Sequence, residues 1–367
     1  MRQWVRTVWW SIGLLCLLAV VVIWSVTIGP VHIPAPVVAK AMLNAVALPA
    51  SVSIESAEMT TAVVGQIPWV TLDIGFIHPF DFSVSHPQQV IVTRIRLPRI
   101  ALAAVVGFAL ATAGTVMQGF FRNPMADPSI IGVSSGAAVG AIATIVFSLS
   151  IPFGLQGLSF LTALITAFAV YLIATKNGRT PVATLLLAGV AVQTFLGAVI
   201  SYMLLQAGES INTVLHWLMG DLSAASWDGV TVSLVVSLFA FAILAVFARD
   251  LNVLLLGEEE ARTLGIDVEW TKRVLLCVSS LITAAAVAVA GVIGFVGLIV
   301  PHMLRLLVGP DHRILLPTSA IAGAVFLVAT DTIARSGAAQ LPVGIVTAAL
   351  GAPFFLYLLR QREVHQL

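Results

Sequence analysis

The sequence predicts an all-α integral membrane protein with about ten transmembrane helices. Three observations support this fold class: 59% of the 367 residues are hydrophobic, only 10% are charged, and long apolar segments recur along the chain. A soluble domain carries about 25% charged residues, so this chain has too few to cover a globule in water. The mean hydropathy of +1.04 is typical of a protein that is solvated by lipid.

The first apolar segment, 8–29, follows a basic N-terminus. A helix of about 20 residues crosses about 30 Å of hydrocarbon, whereas a signal peptide has a shorter apolar core and a small-residue cleavage site. We therefore expect a first spanning helix that stays in the protein. Nine further spans are predicted at 100–120, 130–149, 158–175, 184–206, 229–248, 274–291, 293–309, 317–334 and 342–359. Glycines divide the stretch 274–309, which predicts either two tightly joined spans or one broken span.

The basic residues predict the orientation of the chain in the membrane. If the spans alternate, thirteen of the 18 Lys and Arg residues lie on the side of the N-terminus. Cytoplasmic loops attract such residues, so both termini are predicted to be cytoplasmic. The five basic residues on the outer side are Lys40, Arg94, Arg96, Arg99 and Arg335.

Two polar segments interrupt an otherwise single transmembrane domain, 1–367. The outer segment, 30–95, predicts a short surface helix near Pro36 to Leu48 followed by irregular chain. The inner segment, 249–273, predicts short amphipathic helices. Inside the spans, small residues recur at every third or fourth position, as in Gly107, Ala111 and Gly114, and this spacing lets helix backbones approach closely in lipid. Gly132, Gly136 and Gly140 repeat the pattern.

The composition argues against several classes of function. A net charge of +1 gives no basis for binding nucleic acid. The chain has no GxxxxGK[ST] loop for ATP, and no catalytic or metal site is predicted. Cys16 and Cys277 lie in apolar runs and are interpreted as small hydrophobic residues. The seven histidines are scattered, so they are interpreted as structural, and a haem-holding membrane subunit with histidines paired across helices stays an alternative.

Asp331 is the main acidic residue within a predicted span, and we expect it to be a packed, hydrogen-bonded carboxylate. A carrier driven by an ion gradient, the other alternative, would be expected to hold more intramembrane charge. A pore without such residues needs an outside source of energy. The cytoplasmic segment 249–273 offers a place where a moving partner can bind.

Several long motifs then identify a family resemblance. They are Arg96-Leu-Pro-Arg99, Met117-Gln-Gly119, Arg122-Asn-Pro-Met-Ala-Asp-Pro128, Gly132-Val-Ser-Ser-Gly136, Gly257-Glu-Glu-Glu-Ala-Arg-Thr-Leu-Gly265, Gly294-Phe-Val-Gly-Leu-Ile-Val-Pro-His302, Asp311-His-Arg313, and Leu341-Pro-Val-Gly-Ile-Val-Thr-Ala-Ala-Leu-Gly-Ala-Pro353. The chain resembles the FecCD-type permeases of type II ABC importers, which carry ferric siderophores, haem and cobalamin. The motifs extend from about residue 94 to 359, and the segment 30–95 looks longer than is usual for the family.

The resemblance implies a cobalamin-permease-like bundle. A glycine-rich span followed by a turn with Pro and Asp occurs at 107–128 and again at 291–311, which suggests a weak inverted repeat. It implies a homodimer in the cytoplasmic (inner) membrane, with two ATP-binding cassette subunits inside and a substrate-binding protein outside. ATP and Mg would be held by the partner ATPase subunits, with no cofactor on this chain, so the chain itself is not an enzyme. The implied function is import by alternating access, with a ferric siderophore as the first choice of cargo and haem or cobalamin as alternatives.

Roles for individual residues also follow from the resemblance. Arg96, Arg99 and Arg335 match arginines that dock the binding protein. Asn123, Pro124 and Met125 match one cytoplasmic gate, where Asn123 is expected to cap the next helix, and Val182 and Ala183 lie in the loop that matches the other. Family members often have small hydroxylated residues at the last two positions, whereas Val182 and Ala183 are apolar. A hydrophobic constriction is therefore expected here. The residues that match the ATPase coupling helices are Gly257, Glu258, Glu260, Arg262, Leu264 and Gly265.

Overall fold

The computed structural model describes residues 2–31, 33–46, 48–61, 65–77, 79–151, 153–337 and 340–364. The chain divides into two compact units. One combines residues 1–30 with 98–367, and the other comprises residues 31–97. The second unit coincides, within two residues at each end, with the polar segment 30–95 that the sequence distinguishes from the spans.

The first unit contains most of the helices. In chain order the elements of both units are α1 (Arg2–Thr27), α2 (Ala35–Asn44), β1 (Leu48–Thr61), β2 (Gly65–Ile77), α3 (His86–Val90), α4 (Leu97–Phe120), α5 (Val133–Val146), α6 (Gly154–Ala174), α7 (Val182–Leu205), α8 (Ile211–Leu218), α9 (Trp227–Val246), α10 (Ala248–Leu254), α11 (Glu258–Thr263), α12 (Val268–Ala290), α13 (Val296–Val308), α14 (His312–Ala334) and α15 (Val343–Val364). A π-helical turn, Ile91–Arg96, joins α3 to α4.

Each of the ten predicted spans coincides with one apolar helix, so the predicted helical membrane fold is confirmed. Within the described residues, seven helices or helical runs are long and apolar enough to cross a membrane. Three shorter apolar helices, α5, α13 and the first part of α15, complete the ten. The stretch 274–309 forms two helices, because the backbone leaves the helical conformation between Gly291 and Phe295, each with a φ of 70°.

Charged side chains explain where the predicted boundaries were wrong. Helix α12 begins at Val268, six residues before the predicted start, because its first turns carry Glu269, Lys272 and Arg273 and are too polar to resemble a span. Lys272 is nevertheless buried, at 4% exposure. The predicted amphipathic helices of 249–273 are confirmed as α10 and α11.

Three helical runs form the centre of the first unit. About 83% of the most apolar window of His86–Phe120 is buried, compared with 72% for α14 and 67% for α12, whereas α1 and α7 are only 11% and 17% buried. The centre is close-packed at glycines. A Cβ atom at Gly107 would overlap the carbonyl oxygen of Gly323 on α14, and one at Gly114 would overlap that of Gly297 on α13. Small residues therefore let α4 lie against both helices at backbone distance.

The second set of small residues does the same for α5. A Cβ atom at Gly136 would overlap the Thr166 hydroxyl, and one at Gly140 would overlap the Thr162 hydroxyl, both on α6. The interpretation of this spacing as helix packing is confirmed for both sets. The hydroxyls of Thr162 and Thr166 donate hydrogen bonds to backbone carbonyls of α6 itself, as polar side chains do in a medium that offers no water.

The unit 31–97 differs from its prediction. The surface helix is confirmed as α2, but the expected irregular chain is an antiparallel hairpin of β1 and β2, with Ile54 opposite Leu72 and an irregularity between Pro49 and Ser51. A signal for β2 was present in the sequence, because Val70, Leu72, Ile74 and Phe76 alternate with small or polar residues.

The crossing of α4 and α13 gives a first prediction. Gly114→Ala places a methyl group against the Gly297 backbone, which cannot move aside as a flexible side chain does. We expect it to lower the free energy of unfolding by about 1–3 kcal/mol, measured by thermal unfolding of the purified protein in detergent.

Gly13→Ala on α1 is the matched control, since nothing lies within 4 Å of a Cβ atom there. It should be neutral or stabilise the protein by up to about 1 kcal/mol, as Ala is the better helix former. Equal thermal stability of the two variants would contradict the close crossing.

Candidate functional site

The end of α14 carries a buried cluster of three charges, which we call the Asp331 cluster: Arg99, Asp331 and Arg335. The Asp331 side chain accepts two hydrogen bonds from Arg99 Nε, at 3.0 and 3.2 Å, and one from Arg99 Nη2 at 2.8 Å. Arg335 Nε lies 3.3 Å from the other side of the same carboxylate. Asp331 is fully buried, so the expected packed, hydrogen-bonded carboxylate is confirmed.

Arg335 also fastens the end of α1. Its Nη1 donates to the Ile28 carbonyl at 2.9 Å, and its Nη2 donates to the Ser25 carbonyl at 2.7 Å and to the Ser25 hydroxyl. Carbonyls at a helix C-terminus lack partners within the helix, so a guanidinium is well suited to that place. The contact joins residues that are 310 positions apart in sequence.

The three arginines with a predicted docking role are all buried in this chain. Arg96 is 4% exposed, Arg99 8% and Arg335 4%. Arg96 belongs to the unit 31–97, where it donates to the Val31 carbonyl. The predicted docking role stays a prediction. In the structure, these three side chains form hydrogen bonds within the chain.

Arg99 also forms part of the wall of a cavity of about 410 Å³. The other lining residues are Asn212, Thr213, His216, Asp221, Ser223, Gln340, Leu341 and Pro342, which come from α8 and from the loops before α9 and α15. Most of the lining residues carry polar side chains, and His216 Nδ1 lies 3.9 Å from the Asp221 carboxylate. This site was missed by sequence reasoning because its residues come from four separate segments of the chain, and no motif indicates that they meet.

At the opposite end of α4, the predicted first gate is a tight turn. Asn123 is exposed, while Pro124 and Met125 are half-buried. The Asn123 side chain accepts from the backbone N–H of Met125 at 3.0 Å, so it closes its own turn. The expectation that Asn123 caps the next helix was wrong. Asp127 instead caps a short 3-10 turn, Pro128–Ile131, which precedes α5, by accepting from the Ser129 N–H at 2.8 Å.

The loop before α7 contains the predicted second gate. Val182 is half-buried and Ala183 is exposed, at the first turn of the helix. Thr180, two residues earlier, is buried at 2% exposure. Its backbone is held by side chains of α12, because Lys272 Nζ donates to the Thr180 carbonyl at 3.1 Å and the Thr180 N–H donates to Glu269 at 3.2 Å.

The predicted coupling residues surround the short helix α11. Gly257 and Gly265 flank it, both with positive φ, at 143° and 84°. Glu260, Arg262 and Leu264 are exposed, whereas Glu258 is half-buried. Leu256 and Leu264 are 66% and 63% exposed, and Trp270 is 57% exposed. These three apolar side chains share the segment with charged groups, which is typical of a surface that binds another protein.

Hydrogen bonds also hold α10, which precedes this segment, against the start of α14. Asn252 donates to the Asp311 carboxylate at 2.7 Å and accepts from the His312 backbone N–H at 2.9 Å. The Arg313 side chain donates to Asp311 and so holds the pKa of that carboxyl down, from 3.8 to about 2. A lowered pKa means that the ionised form is favoured by folding, so this contribution is complete above pH 4 and is lost as the pH falls towards 2.

The whole arrangement can be compared with known proteins. A model of the FecCD transport family matches residues 17–361. The chain belongs to the FecCD transport family.

Relatives in this family agree over most of their length. The chain is 56% identical to the cobalamin import system permease protein BtuC of Halobacterium salinarum, over 99% of this chain and 98% of the relative. It is 42% identical to the hemin transport system permease protein HmuU of Yersinia pestis, over 80% of this chain and 90% of the relative. A solved structure of an inward-facing metal-chelate type ABC transporter has a TM-score of 0.76 at 30% identity, and covers 96% of this chain and 98% of that one.

As a FecCD protein, the chain is an integral membrane permease subunit of an ABC importer. The family resemblance inferred from the motifs is thereby confirmed. Among the described residues, no group of three His, Cys, Asp or Glu side chains is close enough to hold a metal ion. Lys272, Asn252 and the loop cavity are the parts of the candidate site that sequence reasoning missed.

The Asp331 cluster gives a second prediction. Asp331→Asn removes the negative charge between two buried guanidiniums, and a buried charge without its partner destabilises a protein by about 3–5 kcal/mol. We expect a loss of at least about 3 kcal/mol in the free energy of unfolding, measured by chemical denaturation in mild detergent.

Glu209→Gln is the control for removing an acidic group, because Glu209 is exposed. Its stability should stay within about 0.5 kcal/mol of the parent. If Asp331→Asn were as stable as this control, the Asp331 cluster would not hold α1, α4 and α14 together.

Proposed function

We propose that this permease carries cobalamin across the cytoplasmic membrane, powered by ATP hydrolysis in partner subunits. The observation that carries the choice of cargo is the similarity to the cobalamin permease of Halobacterium salinarum, which reaches 56% identity and extends over 99% of this chain, including the unit 31–97. The similarity to the hemin permease is lower, at 42%, and covers 80% of the chain. Cobalamin therefore moves ahead of the ferric siderophore that motif resemblance alone puts first.

A second copy of the chain is proposed to bind along α7. This helix has only 17% of its apolar window buried within one chain. Its exposed residues include small and hydroxylated ones, such as Ala191, Thr194, Ala198 and Ser201. Thr194 and Ser201 donate to carbonyls of their own helix, at 2.9 Å each. Small residues of this kind favour contact between helices, and the two copies would enclose the pathway for the cargo between them.

Two ATP-binding cassette subunits are proposed to bind the segment formed by α10 and α11. Exposed Leu256, Leu264 and Trp270 supply apolar contact there, while Glu260 and Arg262 supply charge. The distribution of Lys and Arg supports a cytoplasmic position for this segment and for both termini. ATP and Mg would be bound entirely by those subunits.

An extracytoplasmic binding protein is proposed to dock at the other end, over the cavity that Arg99 lines. Arg99 is the member of the predicted docking set that borders open space. Arg335 would act behind it, by fastening α1, and Arg96 would take part from within the unit 31–97. A carboxylate from the partner fits such a site, because a guanidinium pairs with carboxylates in a planar, two-point geometry.

The gates would lie at the cytoplasmic end of the pathway. Asn123, Pro124 and Met125 form one turn, and Val182 with Ala183 forms the other. Both Val182 and Ala183 are apolar, and an apolar constriction closes to ions and water by dewetting. Import would then proceed by alternating access, with ATP binding moving the coupling segments and thereby the gates.

A carrier driven by an ion gradient is less well supported. It needs an intramembrane carboxylate that can exchange ions, and Asp331 is occupied by Arg99 and Arg335. A haem-holding subunit is likewise less well supported, since it needs facing histidine pairs. Uptake into proteoliposomes distinguishes the ion-gradient carrier, and purified protein with a bound-haem absorbance that resists washing would support the haem-holding subunit.

The proposed function predicts uptake of radiolabelled cobalamin into proteoliposomes that contain the permease, the ATPase subunits and the binding protein encoded with it. Uptake should require trapped ATP and Mg, and excess unlabelled cobalamin should compete while haemin and ferrichrome do not. Uptake of ferrichrome or haemin instead would change the cargo but keep the transporter class. Uptake that follows an ion gradient and ignores ATP would overturn the class itself.

The coupling surface gives a separate prediction. Leu264→Asp places a charge in an apolar contact that excludes water, and we expect the affinity for the ATPase subunit to fall by about tenfold to a hundredfold, measured by co-purification and by titration in detergent. Leu43→Asp, at an exposed leucine of α2, is the control and should leave the affinity unchanged. Equal affinities for both variants would remove the role proposed for Leu264.

A further inference from the structure

Lys272 is a buried cation that the proposed function does not yet use. It lies in the second turn of α12, and only 4% of the residue is exposed. Its amine contacts two carboxylates and one carbonyl, contributed by three separate segments of the chain. We call this set the Lys272 cluster: Lys272, Glu258, Glu269 and Thr180.

The strongest contact in the Lys272 cluster joins α12 to the coupling helix. Lys272 Nζ lies 2.6 Å from Glu258 Oε1, at the first residue of α11. The amine also lies 3.8 Å from Glu269 Oε1 on its own helix. A buried ammonium is costly to separate from its counter-charge, so a displacement of Glu258 is resisted unless Lys272 moves with it.

The third contact joins the same amine to the predicted second gate. Lys272 Nζ donates to the Thr180 carbonyl at 3.1 Å, and the Thr180 N–H donates to Glu269 at 3.2 Å. Both backbone groups of Thr180 are therefore bound by one ion pair of α12. A change in the position of that pair must alter the position of Thr180 or leave a buried polar group without a partner.

The loop around Thr180 is stiff enough to pass such a displacement on. Lys176 and Arg179 form a backbone bridge across a turn, and the hydroxyls of Thr175 and Thr180 lie 2.9 Å apart. Pro181 follows directly, with its φ fixed by the ring, and α7 begins at Val182. A single residue, Pro181, thus separates Thr180 of the Lys272 cluster from the gate residue Val182.

We propose that Lys272 is a positioning residue that transmits movement of α11 to the first turn of α7, and so opens and closes the gate at Val182 and Ala183. The proposal rests on the proposed function, since it takes α11 as the seat of the ATPase subunit. Glu258 receives the movement, Lys272 passes it across the interface of α11 and α12, and Thr180 delivers it to α7.

The test compares Lys272→Met with Lys272→Arg in the complete transporter in proteoliposomes, measuring ATP hydrolysis and cobalamin uptake on the same samples. Met keeps the length and apolar stem of the side chain but breaks all three polar contacts. We expect ATP hydrolysis to stay within about twofold while uptake falls about tenfold, so that about ten times more ATP is used per cobalamin. Lys272→Arg can still reach both carboxylates and should restore most of the uptake.

Arg273→Met is the matched control. Arg273 follows Lys272 directly on α12 and is also a cation, but it is exposed. It should leave the ratio of ATP to cobalamin near that of the parent. Glu258→Gln keeps the shape of the side chain that pairs with Lys272 but removes its charge. It tests the same ion pair if Lys272→Met does not fold, and it should also raise the amount of ATP used per cobalamin.

A spectroscopic measurement separates transmission from plain stability. A nitroxide label is placed at exposed Ala183 or at exposed Glu259, after Cys16 and Cys277, both exposed, are replaced by Ser. In the parent, ATP should change the spectra at both positions. In Lys272→Met the change at position 259 should persist, while the change at position 183 disappears.

The outcomes are distinguishable. If the parent itself takes up no cobalamin with trapped ATP, the proposed cargo fails, and the label at position 183 still tests Lys272 because it needs only ATP. If the parent transports cobalamin but Lys272→Met lowers hydrolysis and uptake by the same factor, and position 183 still responds to ATP, transmission through Lys272 is overturned.

Discussion

Lipid offers no hydrogen bonds to an open backbone, and this constraint governs where the chain is allowed to leave the helical conformation. Within the described residues, the chain does so beside a shorter helix at 127–132, before α5, and at 291–295, before α13. The two breaks lie together, and a small cavity of about 40 Å³ is lined by Asp127, Pro128 and Ser129 from one and by Val292, Ile293 and Gly294 from the other. Most of the backbone in these two breaks is therefore buried or half-buried within the protein.

The close packing of the central helices follows from the same requirement. Gln118 on α4 donates to the Gly297 and Leu298 carbonyls at 3.2 and 2.9 Å, in the first turn of α13. Gln193 on α7 donates to the Ser129 and Ile130 carbonyls at 3.2 and 2.6 Å, in the turn before α5. An amide from a long neighbouring helix therefore binds carbonyls within the first break and carbonyls directly after the second.

Much of this architecture is predictable from the sequence, and the exceptions have physical reasons. Ten apolar helices follow from hydropathy, and Gly114 is recognisable as a packing residue from its spacing. The burial of Arg99 and Arg335 could not be predicted from the sequence, because hydropathy treats every arginine as a surface residue. Their partner Asp331 also lies more than 200 positions from Arg99 in sequence. For the same reason a window that contains Glu269, Lys272 and Arg273 looked like a loop, although two of those charges neutralise each other inside the fold. Motif resemblance located α11 and the turn at Asn123, but it could not indicate that Lys272 connects α11 to Thr180.

The fastening of α1 by Arg335 has a consequence for biosynthesis. A ribosome that feeds this chain into the membrane releases α1 first, and α1 then waits in the bilayer until nearly the whole chain has been made, since Ser25 and Arg335 are 310 positions apart. During that interval the helix has little of its surface covered by other helices. The insertion machinery or lipid must accommodate it meanwhile, and nascent chains that stop before residue 335 keep an unsecured first helix.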